Sequence, residues 1–108
     1  MLTGAGIHLP GDHPNWLDRA MAALIRVMAA DRFNDGDKAI RKLIATDLDW
    51  TIVRTELQHN GVGSKVGHVG PVGDPAHSLR CSRGYIAQFI ADCLKSPTHI
   101  RSAPKISD

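Results

Sequence analysis

The order of apolar and polar positions divides the chain into a few short extended runs and three helical ones. The clearest extended run lies in Asp47–Thr55, DLDWTIVRT, where Trp50, Thr51, Ile52 and Val53 stand together. β-Branched and aromatic residues in a row suit a pleated, buried strand, which predicts a strand over 49–54. A parallel strand covered on both faces presents ligands at its carboxyl end, so Arg54 and Thr55 become the first candidate site residues. Met1 to Ile7 is short, small and apolar, and predicts a strand over 2–5 entering a glycine turn. Residues 8–15 carry Pro10, Gly11 and Pro14 and predict a loop, with Pro14-Asn15 as a helix entry.

From Trp16 to Ala30 the period becomes helical. Trp16, Leu17, Ala20, Met21, Leu24, Ile25 and Met28 share one broad face, expected to be core, while Asp18, Arg19 and Arg26 lie away from it. The polar run DRFNDGD (31–37) predicts a break. Asp35 then caps a second helix over 36–46, with Ile40, Leu43 and Ile44 as its apolar seam and Lys38, Arg41 and Lys42 outward. Helix followed at once by strand is half of a βαβ crossover. Ser82 opens the third helix, with Ile86, Phe89, Ile90, Cys93 and Leu94 at helical spacing, and Ser96-Pro97 closes it. A last short strand is expected at 99–101.

Residues 55–80 have a different character, because five of the ten glycines fall between Gly61 and Gly73. The spacing Gly61-x-Gly63-x-x-x-Gly67 is not the G-x-G-x-x-G fingerprint, and Pro71 and Pro75 follow where a helix would be needed. A loop with a short strand near 65–69 is the expectation.

The composition narrows the function classes. The 108 residues suffice for one small domain; 43% are hydrophobic and 22% charged, as in a globular protein. Residues 1–54 hold seven Lys/Arg against seven Asp/Glu, and residues 55–108 six against four, so no basic stripe favours nucleic acid. Without a long apolar run or a basic leader, a soluble cytoplasmic protein is expected. Cys81 and Cys93 read as reduced thiols. None of the six histidines pairs at metal-ligand spacing, so no metal is expected; solvated histidines are the simpler reading, with His59 and His68 retained only because they follow strand 49–54. Glu56 is the sole glutamate, and no nucleophile elbow occurs.

NDGDKAIRKLIATDLDWTIVRTEL (34–57) resembles the atypical short-chain dehydrogenase/reductases, the NAD(P)H-binding or NmrA-like family, in which a lysine-bearing helix leads into L-D-W-T-I-V-R-P-x-x-L. MLTGAGI is similar to that family's strand ending in Ser-Ser-x-Gly, and CSRGYIAQFIADCL (81–94) to its I-S-R-x-D-V-A-x-F-I helix near the C-terminus. The resemblance implies an α/β fold, the C-terminal part of a Rossmann-like doubly wound parallel sheet with about three short strands and three helices. It places residues 1–108 in a single partial domain, with the glycine-rich phosphate loop belonging to an N-terminal half before Met1. It implies NADP or NAD as cofactor. Lys38 matches the lysine of the Tyr-x-x-x-Lys pair, but Asn34 stands where the tyrosine would be; Thr3 falls near the catalytic serine. The segment Arg54, Thr55, Glu56 and Leu57 would contact the cofactor, with Thr55 in place of the family's proline.

Physics adds an expectation about association. Strand 49–54 can sit between the other two, leaving the strand at 2–5 as an open edge, and the helices keep wide apolar faces. The chain is therefore expected to pair with another copy, dock on a companion chain, or aggregate. The implied function is that of an NAD(P)H-binding oxidoreductase with little turnover of its own. The alternative is a non-catalytic binding or regulatory module, or a remnant, that associates with another chain.

Overall fold

The computed structural model describes residues 1–4, 9, 11–61 and 67–108. Among these, a four-stranded sheet runs in the order β1 (Leu2–Gly4), β2 (Val53–Thr55), β6 (Lys105–Ser107), β4 (His68–Gly70). β1, β2 and β6 are mutually parallel and β4 is antiparallel to β6. A second, two-stranded parallel sheet joins β3 (Leu57–His59) to β5 (Arg80–Ser82). Helices α1 (Trp16–Met28), α2 (Ala30–Ile44) and α3 (Arg83–Lys95) complete the described elements with a 3-10 turn over Pro97–His99.

The predicted central strand is central, flanked by β1 and β6. Ile52 and Val53 are extended and buried, and Thr51 bridges to Ser102 in parallel. Successive side chains of a strand point to opposite faces. Ile52 accordingly packs with Ile40, Phe33 and Leu43 of α2 on one face. Val53 packs with Ile86 and Phe89 of α3, Cys81 of β5 and Ile106 of β6 on the other. The sheet thus has helices on both faces.

Helix α1 starts where Pro14-Asn15 implied. Asn15 Oδ1 accepts from the Asp18 amide at 2.8 Å and the Asn15 amide donates to Asp18 Oδ2 at 3.0 Å, a reciprocal cap. This cap buries Asp18, which the periodicity had placed outward. The broad apolar face of α1, expected to be core, is largely exposed: Trp16 is 78% and Met28 77% accessible. Helix α1 packs on α2, and Ala22 is the buried apolar residue of the helix.

The second helix begins at Ala30, not at 36, so Asp35 is not its cap. The run DRFNDGD stays helical because Phe33 extends the Ile40–Leu43 seam by two turns and sits under the Arg26 guanidinium, 4.9 Å from its ring centre. An Asp37–Arg41 pair at 2.8 Å supports the turn after Gly36. Packing outweighs the glycine penalty of about 1 kcal/mol. Helix α3 follows expectation, with Ser82 Oγ accepting from the Tyr85 amide and Ser96-Pro97 ending it.

The last strand is β6, at 105–107, and not 99–101, where the backbone forms the 3-10 turn and Arg101 adopts a left-handed φ of 57°. The short strand expected at 65–69 is β4 at His68–Gly70; residues 62–66 lie outside the described residues. β3 and β5 were not anticipated, having three residues each and no alternation to mark them. No helix among the described residues is long and apolar enough to cross a membrane.

If burial on both faces of β2 holds the layers together, Ile52→Ala will cost about 2–5 kcal/mol in urea unfolding. Val27→Ala on the exposed face of α1 will change it by no more than about 0.5 kcal/mol.

Candidate functional site

The register of the sheet aligns Thr3, Arg54, Lys105 and Gly70 in one row across β1, β2, β6 and β4. Arg54 shares strand parity with Ile52, so the row lies on the α2 face. One pleat further toward the carboxyl ends of the parallel strands stand Glu56, Ser107 and His68. Open parallel sheets bind ligands at this end.

Two ion pairs with nearly buried side chains occupy the row. The Arg54 guanidinium donates from Nη1 to Asp12 Oδ2 at 2.6 Å and from Nη2 to Asp12 Oδ1 at 2.8 Å; both side chains are 3% exposed. Arg54 Nε also donates to the Ala103 carbonyl at 2.9 Å. Burial alone would raise the Asp12 carboxyl pKa. The Arg54 guanidinium and the amides of Leu9 and Val72 outweigh it and hold the group below its ordinary value. Beside this pair, Lys105 Nζ donates to Glu56 Oε1 at 3.0 Å, leaving Glu56 Oε2 buried without a partner.

At the β4 side, His68 Nε2 lies 2.7 Å from Asp74 Oδ2, and the His77 ring packs edge-on against His68 with centroids 4.6 Å apart. His77 Nδ1 meets Ser107 Oγ at 3.0 Å, while its Nε2 is buried without a partner. Burial first, then the Lys105 charge, push the His77 pKa down. His68 and His77 are therefore half-buried members of a polar cluster, not solvated side chains. No group of three or more His, Cys, Asp or Glu side chains among the described residues is arranged to hold a metal ion.

The structure treats the sequence-derived site residues unequally. Thr3 is half-buried on β1 beside Arg54. Thr55 is fully buried, its Oγ1 accepting from Gln58 Nε2 at 3.3 Å. Arg54 and Glu56 are engaged in the ion pairs, and Leu57 is 59% exposed on β3. Lys38 and Asn34 are exposed on α2, and no hydrogen bond joins Lys38 to Thr3. The thiols are not activated: burial pushes Cys81 up to about 11, with the Asp108 charge adding to it, and burial also raises Cys93.

Sequence reasoning missed Asp12, Lys105, His77, Asp74 and Ser107. Asp12 and Arg54 are 42 positions apart, and Glu56 and Lys105 are 49 apart. No local period links such partners. The alternation Pro104-Lys-Ile-Ser107 was the one available sign that Lys105 belongs to a strand.

Helix N-termini, the usual seats for a diphosphate, carry their own partners here. Asn15 and Asp18 close α1. Asp108 Oδ1 accepts from the Ser82 amide at 2.8 Å, and the Ser82 hydroxyl donates to Oδ2, at the start of α3. α2 continues almost directly from α1 through Ala29.

Comparison with known proteins bears on the family and the fold. A family model described as NAD(P)H-binding matches residues 1–97. No curated protein sequence matches the chain. The crystal structure of an ethylated short-chain dehydrogenase/reductase from Veillonella parvula DSM 2008 superposes with a TM-score of 0.69 at 20% identity, covering 99% of this chain and 48% of that one. The chain thus spans about half the length of that structure, and the fold is a partial Rossmann-like α/β sheet.

Two measurements check the electrostatics. Arg54→Ala strands the Asp12 carboxylate and will destabilise by about 3–5 kcal/mol, whereas the double variant Asp12→Leu/Arg54→Met will lose less in the same urea titration. His77 binds its proton less readily folded than unfolded. Its contribution to stability is therefore present above the unfolded pKa of about 6.5 and falls as pH drops through the depressed folded value. Melting temperature will decline below pH 6.5 in the native chain, and His77→Gln will flatten that decline.

Proposed function

The chain belongs to the NAD(P)H-binding family, and from that premise we propose that it is an oxidoreductase of the atypical, NmrA-like short-chain dehydrogenase/reductase type. It takes NADP or NAD at the carboxyl ends of β1 and β2. The observation that carries this reading is the parallel pairing of Thr3 with Arg54, which sets a hydroxyl beside a rigid, ion-paired strand end. A bound nicotinamide supplies the hydride.

In this reading the Thr3 hydroxyl orients the carbonyl of a substrate. Lys38 turns its ammonium from solvent to the ribose hydroxyls, and the backbone of Glu56 and Leu57 edges the ring. Thr55 and Gln58 fix the turn that follows β2. The Arg54–Asp12 and Glu56–Lys105 pairs hold the platform still and do not touch the substrate. Asn34 brings no phenolic proton, so proton supply is poor and turnover by these residues alone is slow.

A second reading, a non-catalytic module that associates with another chain, is favoured by the exposed apolar face of α1. Cofactor titration separates the two. NADPH and NADH will quench the fluorescence of Trp16 and Trp50 saturably, and Lys38→Ala will weaken the better ligand by about tenfold. Absence of saturable quenching up to about 1 mM of either cofactor defeats the oxidoreductase reading and leaves the module.

A further inference from the structure

The segment that joins β4 to β5 is anchored at both ends and tied down in its middle. Upstream, Val72 is fully buried; its amide donates to Asp12 Oδ1 at 3.1 Å and its carbonyl accepts from the His13 amide at 2.7 Å. Downstream, the Leu79 carbonyl accepts from the Leu57 amide at 3.1 Å, and the Ser78 hydroxyl donates to the Asp108 carbonyl at 3.0 Å. Between these anchors Pro75 and Ala76 are exposed. Two side chains tie the middle to the sheet: Asp74 to His68 on β4, and His77 to Ser107 on β6. They converge over Gly70, where an added Cβ would stand 2.8 Å from Asp74 Oδ2, 3.3 Å from His68 Nε2 and 3.6 Å from His77 Nε2.

The hydrogen-bond partners fix where the protons sit. Ser107 Oγ accepts from the Ser78 amide at 3.1 Å, and its own hydrogen points at His77 Nδ1, 3.0 Å away. Nδ1 is therefore an acceptor, and neutral His77 carries its hydrogen on Nε2. An added proton goes to Nδ1. It reverses the bond to Ser107 and deprives the Ser107 hydroxyl of the acceptor it has.

The surroundings of the ring do not neutralise that proton. From β6 the Lys105 ammonium acts on it, itself paired with Glu56 from the end of β2. From β4 the His68 ring packs edge-on, with centroids 4.6 Å apart. Within the turn, the Asp74 carboxylate is already shared between His68, at 2.7 Å, and the Ala76 amide, at 3.0 Å. The Gly70 carbonyl favours the proton, but Nε2 is buried without a hydrogen bond of ordinary geometry. Burial and the Lys105 charge outweigh the carbonyl and the carboxylate, so the seated ring is neutral.

We propose that His77 is a proton-operated latch: seated on Ser107 while neutral, it lets residues 73–77 swing off β6 when protonated, while the sheet stays folded. The anchors at Val72 and Leu79 keep the opening local, and Ser107 at the carboxyl end of β6 loses its cover. A released ring takes its proton near the ordinary value of about 6.5, and the seated ring lower. The seated form is therefore favoured above about pH 6.5 and loses ground as pH falls from there through the lower, seated value. This proposal is independent of cofactor binding.

Amide protection factors, measured by NMR on the whole chain at about pH 7.5 and about pH 5, test it. The Ser78 amide, which donates to Ser107 Oγ, is expected to lose protection about tenfold at the lower pH, while the Val53 and Arg54 amides of β2 stay within about twofold. Nitrogen chemical shifts of His77 at about pH 7.5 will place its hydrogen on Nε2. His77→Gln, which carries no titrating group, will remove the pH dependence of Ser78; His68→Gln will keep it. Unchanged Ser78 protection overturns the proposal, as does protection lost equally at Val53 and Arg54, which is unfolding of the whole sheet. So does a hydrogen found on His77 Nδ1, or a pH dependence that survives His77→Gln and vanishes in His68→Gln.

Discussion

The Asp12 carboxylate is the constraint around which the described segments are organised. A guanidinium in the middle of a sheet, buried on both sides, is tolerated only with full pairing. Arg54 gets it from Asp12 and from the Ala103 carbonyl, and Asp12 also accepts from the amides of Leu9 and Val72. One charge pair thereby joins β2, the loop before α1, the turn after β4 and the approach to β6. The turn fits tightly against that loop: the His13 amide donates to the Val72 carbonyl at 2.7 Å, and Gly73 has φ +95° with the His13 carbonyl where a side chain would stand. Only glycine serves there.

This junction separates two functions of the central strand. Its alternating apolar residues, Ile52 and Val53, bind the two helical layers. Of its polar residues, Arg54 and Glu56 are engaged in internal ion pairs and Thr55 accepts a hydrogen bond from Gln58. A platform this well partnered positions its neighbours and changes little itself. In the proposed oxidoreductase reading the chemistry falls to Thr3 on the adjoining strand and Lys38 on α2, and a cofactor that carries its own reactivity would need chiefly a firm, shaped surface.

The same architecture explains where surface remains uncovered. Three parallel strands and one antiparallel companion, β4, make up the sheet, with β1 and β4 as its two end strands among the described residues. Among the described residues β1 pairs only with β2, and α1, packed on α2, leaves much of its apolar face exposed.

Local chemistry alone determined several features. The Asn15 and Ser82 caps, the Ser96-Pro97 stop, the helical seams of α1 and α3, and the extended, two-sided burial of Ile52 and Val53 all follow from neighbours within a few positions. The family resemblance likewise rested on contiguous motifs, LDWTIVR above all, and the chain belongs to that NAD(P)H-binding family. Tertiary structure decided the rest. It kept DRFNDGD helical, because Phe33 found Ile40 and Ile52 to pack against. It buried Asp18, exposed Trp16 and Met28, moved the last strand to 105–107, and joined Arg54 to Asp12 and Lys105 to Glu56. Periodicity states which side of an element is apolar; whether anything covers that side, and which distant charge meets a buried one, depends on contacts that no local spacing encodes.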